Sequence, residues 1–398
     1  MDEETAVLAE EYEEPEAKVT ALELFFDLVF VFAFTQVTAL MAANPTWEGL
    51  GQGMLILAMV WWAWGGYAWL TNSLHSDDGI ARIGLLSAMA AMLITALAVP
   101  GAFGEDSIVF GLAYLAVRAI HIAVYAYGAP EVDNRDAILK LAPGLLGAPV
   151  LIAIGGFLDG GAQVGLWVVA VLLDYGTPYV QDVSGFRVSA SHFHERFGLI
   201  VIIALGEAIV AAGSSLSATG LTGGVVVTAI AGLVIVGCQW WAYFDVVALV
   251  AGRRFAELRG LDRNRVARDS YGVLHGLLIA GVMLVALGLK KALLHTDEPL
   301  DTVPAVALCA GAALYLVGHI AFRLRNIGTL NRQRVFCAVI LIALIPFATS
   351  VDAVVAVIAV AVVHVVLIAY ETTRFNDARQ RIRHQGADSL GPHENATG

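Results

Sequence analysis

Long apolar runs, separated by short polar punctuation, dominate this chain. They fall at about residues 22–43, 47–70, 80–101, 107–128, 138–157, 162–180, 193–215, 224–250, 269–289, 303–323, 333–349 and 352–372. A bilayer core of about 30 Å is crossed by roughly 20 apolar residues in helical form. The pattern therefore predicts an all-α, polytopic integral membrane protein with about 12 transmembrane helices. The first run, LELFFDLVFVFAFTQVTALM, carries two acids near its start, Glu23 and Asp27. Four residues apart, they share one helix face. Lipid cannot solvate such a pair, so each must find a partner, hold a proton or line a polar cavity. Thr20 and Glu23 also have the spacing of a capping box, which would start the helix there.

Composition agrees with this class: 58% of residues are hydrophobic, 15% are charged, 40 are glycine and mean hydropathy is +0.74. The net charge of -12 is concentrated at the head of the chain, where residues 2–18 hold eight acids and one lysine. Such a run predicts an acidic disordered tail over 1–19. Its acidity does not suit the basic n-region of a cleavable signal, so the first apolar run is expected to remain in the membrane. Cys238, Cys309 and Cys337 lie in apolar runs without CxxC spacing. Neither a disulfide nor a metal site is expected, and no cofactor.

Basic residues outside the runs sort strongly. One side collects Lys18, Arg82, Arg135, Lys140, Arg187, Arg196, the loop 253–268, Arg323, Arg325, Arg332, Arg334 and the tail 374–383; the other has Lys290 and Lys291. By the positive-inside rule both termini are cytoplasmic, in keeping with an even number of spans. The two parts of the chain also echo each other. Glu23-Leu-Phe25 matches Glu195-Arg-Phe197, Trp61-Trp62-Ala63-Trp64 matches Trp240-Trp241-Ala242-Tyr243, His121-Ile-Ala123 matches His319-Ile-Ala321, and Asn134-Arg135 matches Asn331-Arg332. The offsets are 172, 179, 198 and 197 residues. Four matches in one order predict a parallel 6+6 internal duplication. The organisation expected is a first six-helix half at 20–180, a cytoplasmic linker at 181–192, a second half at 193–373 and a basic, polar tail at 374–398.

The segments ELFFDLVFVF at 23–32 and ERFGLIVIIALGE at 195–207, with the WWAW motif at Trp61, resemble the bacterial low temperature requirement A family. The resemblance extends over nearly the whole chain and implies a bacterial integral membrane protein. The family's name records growth in the cold and supplies no reaction.

Glu207 is the sharpest chemical candidate, since it lies near the middle of its run, where a charge costs at least ~2.5 kcal/mol on insertion scales. Its bland alternative is a protonated acid bonding a neighbouring helix. Arg118 cannot neutralise itself, and is expected to pair with Asp27, Asp174, Glu207 or Asp245 and to line a cavity with His121, one turn away. Glu207, Asp27 and Asp174 are the candidate proton or cation sites; Arg118, His121, Trp62 and Trp241 are candidate substrate-binding or counter-charge residues. His192, His194, Glu195 and Arg196 cluster in sequence, but HxHE alone does not give metal geometry. Gly65-Gly66, and Pro143 with Pro149, are positions where helices could break, with Pro346 a partial counterpart.

No GxxxxGK[ST], HExxH or GxSxG motif is present, which leaves ATP hydrolysis and the common hydrolases without a recognisable route. The basic loop and tail suit the anionic leaflet of a bilayer, not nucleic acid. The expectation is a secondary transporter in the plasma membrane, proton-coupled, for an unknown small solute. An intramembrane lipid-handling enzyme and a membrane sensor or scaffold are the alternatives.

Overall fold

The computed structural model describes residues 18–73, 79–128, 132–181, 183–377 and 379–380. The acidic tail expected before Lys18 and most of the basic tail lie outside the described residues. Within them the chain is helical and contains no strand beyond one isolated bridge, Pro299 to Asp352.

In chain order the helices are α1 Ala21–Ala43, α2 Trp47–Asn72, α3 Gly79–Ala98, α4 Ser107–Gly128, α5 Val132–Gly155, α6 Gly160–Val180, α7 Ala190–Thr219, α8 Gly223–Phe244, α9 Val247–Glu257, α10 Gly260–Val266, α11 His275–Leu294, α12 Thr302–Ile327, α13 Arg332–Ala343, α14 Ile345–Ala348 and α15 Ala353–Arg374. Among the described residues, nine helical stretches are long and apolar enough to cross a membrane. α6 and α7 match them in length but lie outside that set. The run predicted at 333–349 is divided, because α13 ends at Ala343 and Pro346 falls in the first turn of α14.

Local chemistry explains the helix ends. α1 starts with the expected capping box: the Glu23 amide donates to Thr20 Oγ1 at 3.3 Å and the Thr20 amide to Glu23 Oε2 at 2.8 Å. Thr46, Thr222 and Asn331 cap α2, α8 and α13 through their side-chain oxygens, satisfying amides that have no partner within the helix. α12 stops at Gly328, whose φ of 74° is left-handed and free of strain only without a Cβ. The break expected at Gly65-Gly66 is absent: α2 runs through both glycines, and α5 runs through Pro143 and Pro149. Helix interruption instead occurs as a π-helical stretch, Ala267–Leu274, joining α10 to α11.

Packing follows chain order. α1 lies against α2 and α3, α3 against α4, α4 against α5, α5 against α6, and α6 returns to α2. α7 lies against α8 and α11, α11 against α12, α12 against α13, α13 against α15, and α15 returns to α8. α1 and α2 meet α7 and α11 between these two sets. The tightest crossing joins α11 to α12: a Cβ on Gly281 would stand 2.7 Å from the Tyr315 amide, and one on Gly311 2.6 Å from Leu284 Cβ. Small residues let the two backbones touch, and that contact substitutes for the hydrophobic drive that lipid removes. Aromatic rings fill the seam between the sets, with Phe197 edge-on to Trp61 and Trp64 and within 5.3 Å of Tyr271.

Candidate functional site

The two carboxylates of α1 meet their cation on α7. Arg196 is wholly buried. Its Nη1 donates to Glu23 Oε1 and Thr71 Oγ1, each at 2.9 Å, and its Nη2 to Asp27 Oδ1 at 2.6 Å. Trp64 Nε1 donates to the same Asp27 oxygen at 2.8 Å. His192 completes the group. Its Nδ1 faces the Asn72 side-chain amide at 3.2 Å, and that amide is oriented by the Ser189 backbone, donating to its carbonyl and accepting from its N–H. With Nδ1 accepting from the amide, the ring proton sits on Nε2, 3.1 Å from Glu23 Oε2. In this arrangement His192 donates to Glu23 from Nε2. Two buried carboxylates therefore share one guanidinium.

Further along the same seam, Glu207 on α7 accepts from Thr35 Oγ1 of α1 at 2.5 Å. Its other oxygen is buried without a hydrogen bond among the described residues. Thr35 lies eight residues beyond Asp27, about 12 Å at 1.5 Å per residue. α1 and α7 thus hold three carboxylates along one contact line, with Arg196 at one end.

Arg118 pairs with Asp174, one of the acids expected for it, at 2.8 Å between α4 and α6; both are buried. His121 Nε2 donates to the Gly66 carbonyl at 2.9 Å. Arg118, His121 and Trp62 line one cavity of about 80 Å³, whose remaining walls are largely apolar. Trp62 stacks on Tyr175 at 4.1 Å between centroids. Trp241 stands elsewhere, on a cavity of about 420 Å³ among α8, α12, α13 and α15. In that cavity Arg334 grips Glu371 with Nε and Nη2, both at 2.9 Å, and Arg379 pairs with Asp245.

The predicted residues thus fall in three places: Asp27 and Glu207 on the seam, Asp174, Arg118, His121 and Trp62 around the small cavity, and Trp241 on the large one. The sequence cluster 192–196 divides, with His192 and Arg196 on Glu23 and the other two turned elsewhere. His192 turns to Glu23, His194 to the Tyr271 hydroxyl at 3.0 Å, and Glu195 accepts from the Val19 amide at 3.3 Å. Among the described residues no group of three or more His, Cys, Asp or Glu converges as a metal site. Sequence reasoning missed Arg196 as the counter-ion of α1, and Arg334 with Glu371 as a cavity pair. The available signal for Arg196 was the unmet charge of Glu23 and Asp27, which a basic residue at the start of α7 lies at the right level to answer.

Apolar helices, polar groups buried between them and apolar residues exposed on the outer faces define a multi-pass membrane protein. Residues 18–369 match the family described as bacterial low temperature requirement A protein (LtrA), and the chain belongs to that family. It is also 25% identical over 349 residues to an uncharacterized protein of Rhizobium meliloti (strain 1021), covering 84% of this chain and 85% of the relative.

Proposed function

We propose that this protein is a secondary transporter that couples movement of a small solute to protons in the bacterial plasma membrane. The observation that carries the reading is the excess of carboxylates along the α1–α7 seam. Glu23, Asp27 and Glu207 are all buried there, the first two share Arg196, and the charge of Lys290 acts on Glu207, which leaves three acids to two cations. An uncompensated anion in so dry a place takes up a proton, and an acid that gains and loses a proton where two helices meet can bias how they sit. Glu207 and Asp27 are the proposed proton sites. Asp174, held by Arg118, is a secondary polar site, and Arg118, His121 and Trp62 form a wall of the first cavity.

Alternating access also requires two bodies that rock about a seam. A 6+6 duplication supplies them, and the packing order supports it: first helix on second and third, third on fourth, fourth on fifth, fifth on sixth, sixth back on second, in each part of the chain. Counting α13 and α14 as one interrupted span gives the twelve. In each part a tyrosine hydroxyl of the fourth helix donates to a carbonyl of the second, Tyr114 to Met59 at 3.0 Å and Tyr315 to Gln239 at 2.7 Å. The distribution of Lys and Arg supports cytoplasmic termini.

Reconstitution into liposomes holding a pH-sensitive dye tests the coupling. Solutes that drive proton movement with the native chain should fail to do so with Glu207→Gln, while that variant keeps its elution profile and melting temperature. Proton-coupled flux unchanged by the substitution would remove Glu207 from the mechanism.

A further inference from the structure

The cavity of about 420 Å³ among α8, α12, α13 and α15 plays no part in the seam chemistry, yet it is the more polar of the two cavities that hold the candidate residues. We infer that it is a binding site for a small anion carrying a carboxylate or phosphate group. This deepens the transport reading and rests on it in one respect, the identification of the bound anion as the transported solute.

Four features support an anion. The acids on the wall are already matched, Glu371 by Arg334 and Asp245 by Arg379. Arg323 on the same wall uses Nε on Thr329 Oγ1 at 2.9 Å, and its two terminal nitrogens make no contact with an acid among the described residues. The start of α13 opens onto the cavity at Asn331, so the positive end of that helix dipole faces it. His319 lines the cavity, is 2% exposed, and neither ring nitrogen has a hydrogen-bond partner among the described residues. A buried imidazole with both nitrogens unmet has at least one N–H free to donate to an anion's oxygen. The volume is within the range of small-molecule sites, about 300–1,000 Å³.

The small cavity sharpens the assignment. It too is lined by the second, fourth and fifth helices of its set, with His121 where this one has His319. There one imidazole nitrogen, Nε2, is taken by the Gly66 carbonyl, leaving Nδ1 alone without a hydrogen bond among the described residues, and the guanidinium of Arg118 is held by Asp174. In the large cavity, 179 residues beyond Gly66, stands Asp245, whose side chain turns to Arg379 and leaves the histidine open.

The test is equilibrium binding to the purified full-length protein. Inorganic phosphate and a panel of mono- and dicarboxylates are titrated against Trp241 fluorescence and melting temperature, in detergent and in nanodiscs of phosphatidylcholine with or without phosphatidylglycerol. A soluble anion should bind, and Arg323→Gln and His319→Gln should each weaken it by about tenfold or more, as loss of a charge-assisted hydrogen bond does, while Arg323→Lys retains most of the affinity. Stabilisation by phosphatidylglycerol with the same dependence on Arg323 and His319 would identify the anion as a lipid headgroup and uphold the site. Anion binding that ignores both Arg323→Gln and His319→Gln, or no response to any anion, would overturn it. Binding needs no translocation, so the two proposals fail separately. Anion binding without flux removes transport and keeps the site; flux of a solute untouched by Arg323→Gln removes the identification of the bound anion with that solute and keeps transport.

Discussion

The surroundings of Arg118 and of Arg334 show what the same kind of ion pair does in different company. Arg118 and Asp174 have side chains 2% and 4% exposed, and Arg118 lies on a small cavity whose walls are mostly aromatic and aliphatic. Arg334 and Glu371 are 6% and 13% exposed and sit among amides and further charges in a space about five times larger, from the ratio of 420 to 80 Å³. A pair sealed in apolar surroundings acts as a clamp, because neither partner has anywhere else to turn. A pair beside a wet, roomy cavity leaves its neighbours free to meet a ligand. Burial, not the chemistry of the pair, separates the two roles.

Removing the acid of each pair should break this comparison most visibly. Asp174→Ala strands the Arg118 guanidinium in a dry site and should cost about 3–5 kcal/mol, the range for a buried pair that loses one partner. Glu371→Ala leaves Arg334 next to a cavity that water can enter and should cost about 1–3 kcal/mol, the range for a lost charged hydrogen bond. Unfolding of the two variants in detergent, followed by melting temperature, checks both. Equal losses would show that the two pairs do the same job. The smallest effect separates neighbouring glycines of α2. A Cβ on Gly65 would meet no atom within 4 Å, while one on Gly66 would stand 3.2 Å from Arg118 Nη1 and from His121 Cε1. Gly65→Ala should stabilise by about 0.5–1 kcal/mol through helix propensity. In Gly66→Ala that gain is offset by crowding, so a stabilisation as large as that of Gly65→Ala would mean the small cavity is looser than its walls suggest.

Much of the fold was legible because lipid allows few alternatives. Apolar runs of spanning length must be helices, and Thr20 with Glu23 marked the first helix start to the residue. Arg118 announced a buried acid partner because guanidinium cannot shed its charge. What escaped was long-range. Arg196 looked like an ordinary cation at a helix mouth, since nothing in its own segment says that α7 lies against α1. Glu371 and Arg334 sit at run ends, where charged residues need no explanation until α13 and α15 are seen to converge. Gly65-Gly66 pointed to a break, whereas Gly66 serves a close approach to Arg118 and His121.

Thr35 and Glu207 stand 172 residues apart, the spacing that also separates Glu23 from Glu195. On the proposed duplication they occupy one and the same ancestral position, meeting itself across the axis. Before the two copies were fused, that position in a symmetric pair of identical chains faced its own likeness. Two threonines can share a hydrogen bond there, and two glutamates can do so only by sharing a proton. On that duplication the seam is lopsided where Thr35 meets Glu207: one copy brings a hydroxyl and the other a carboxyl, so whatever Glu207 does is done by one half on behalf of both.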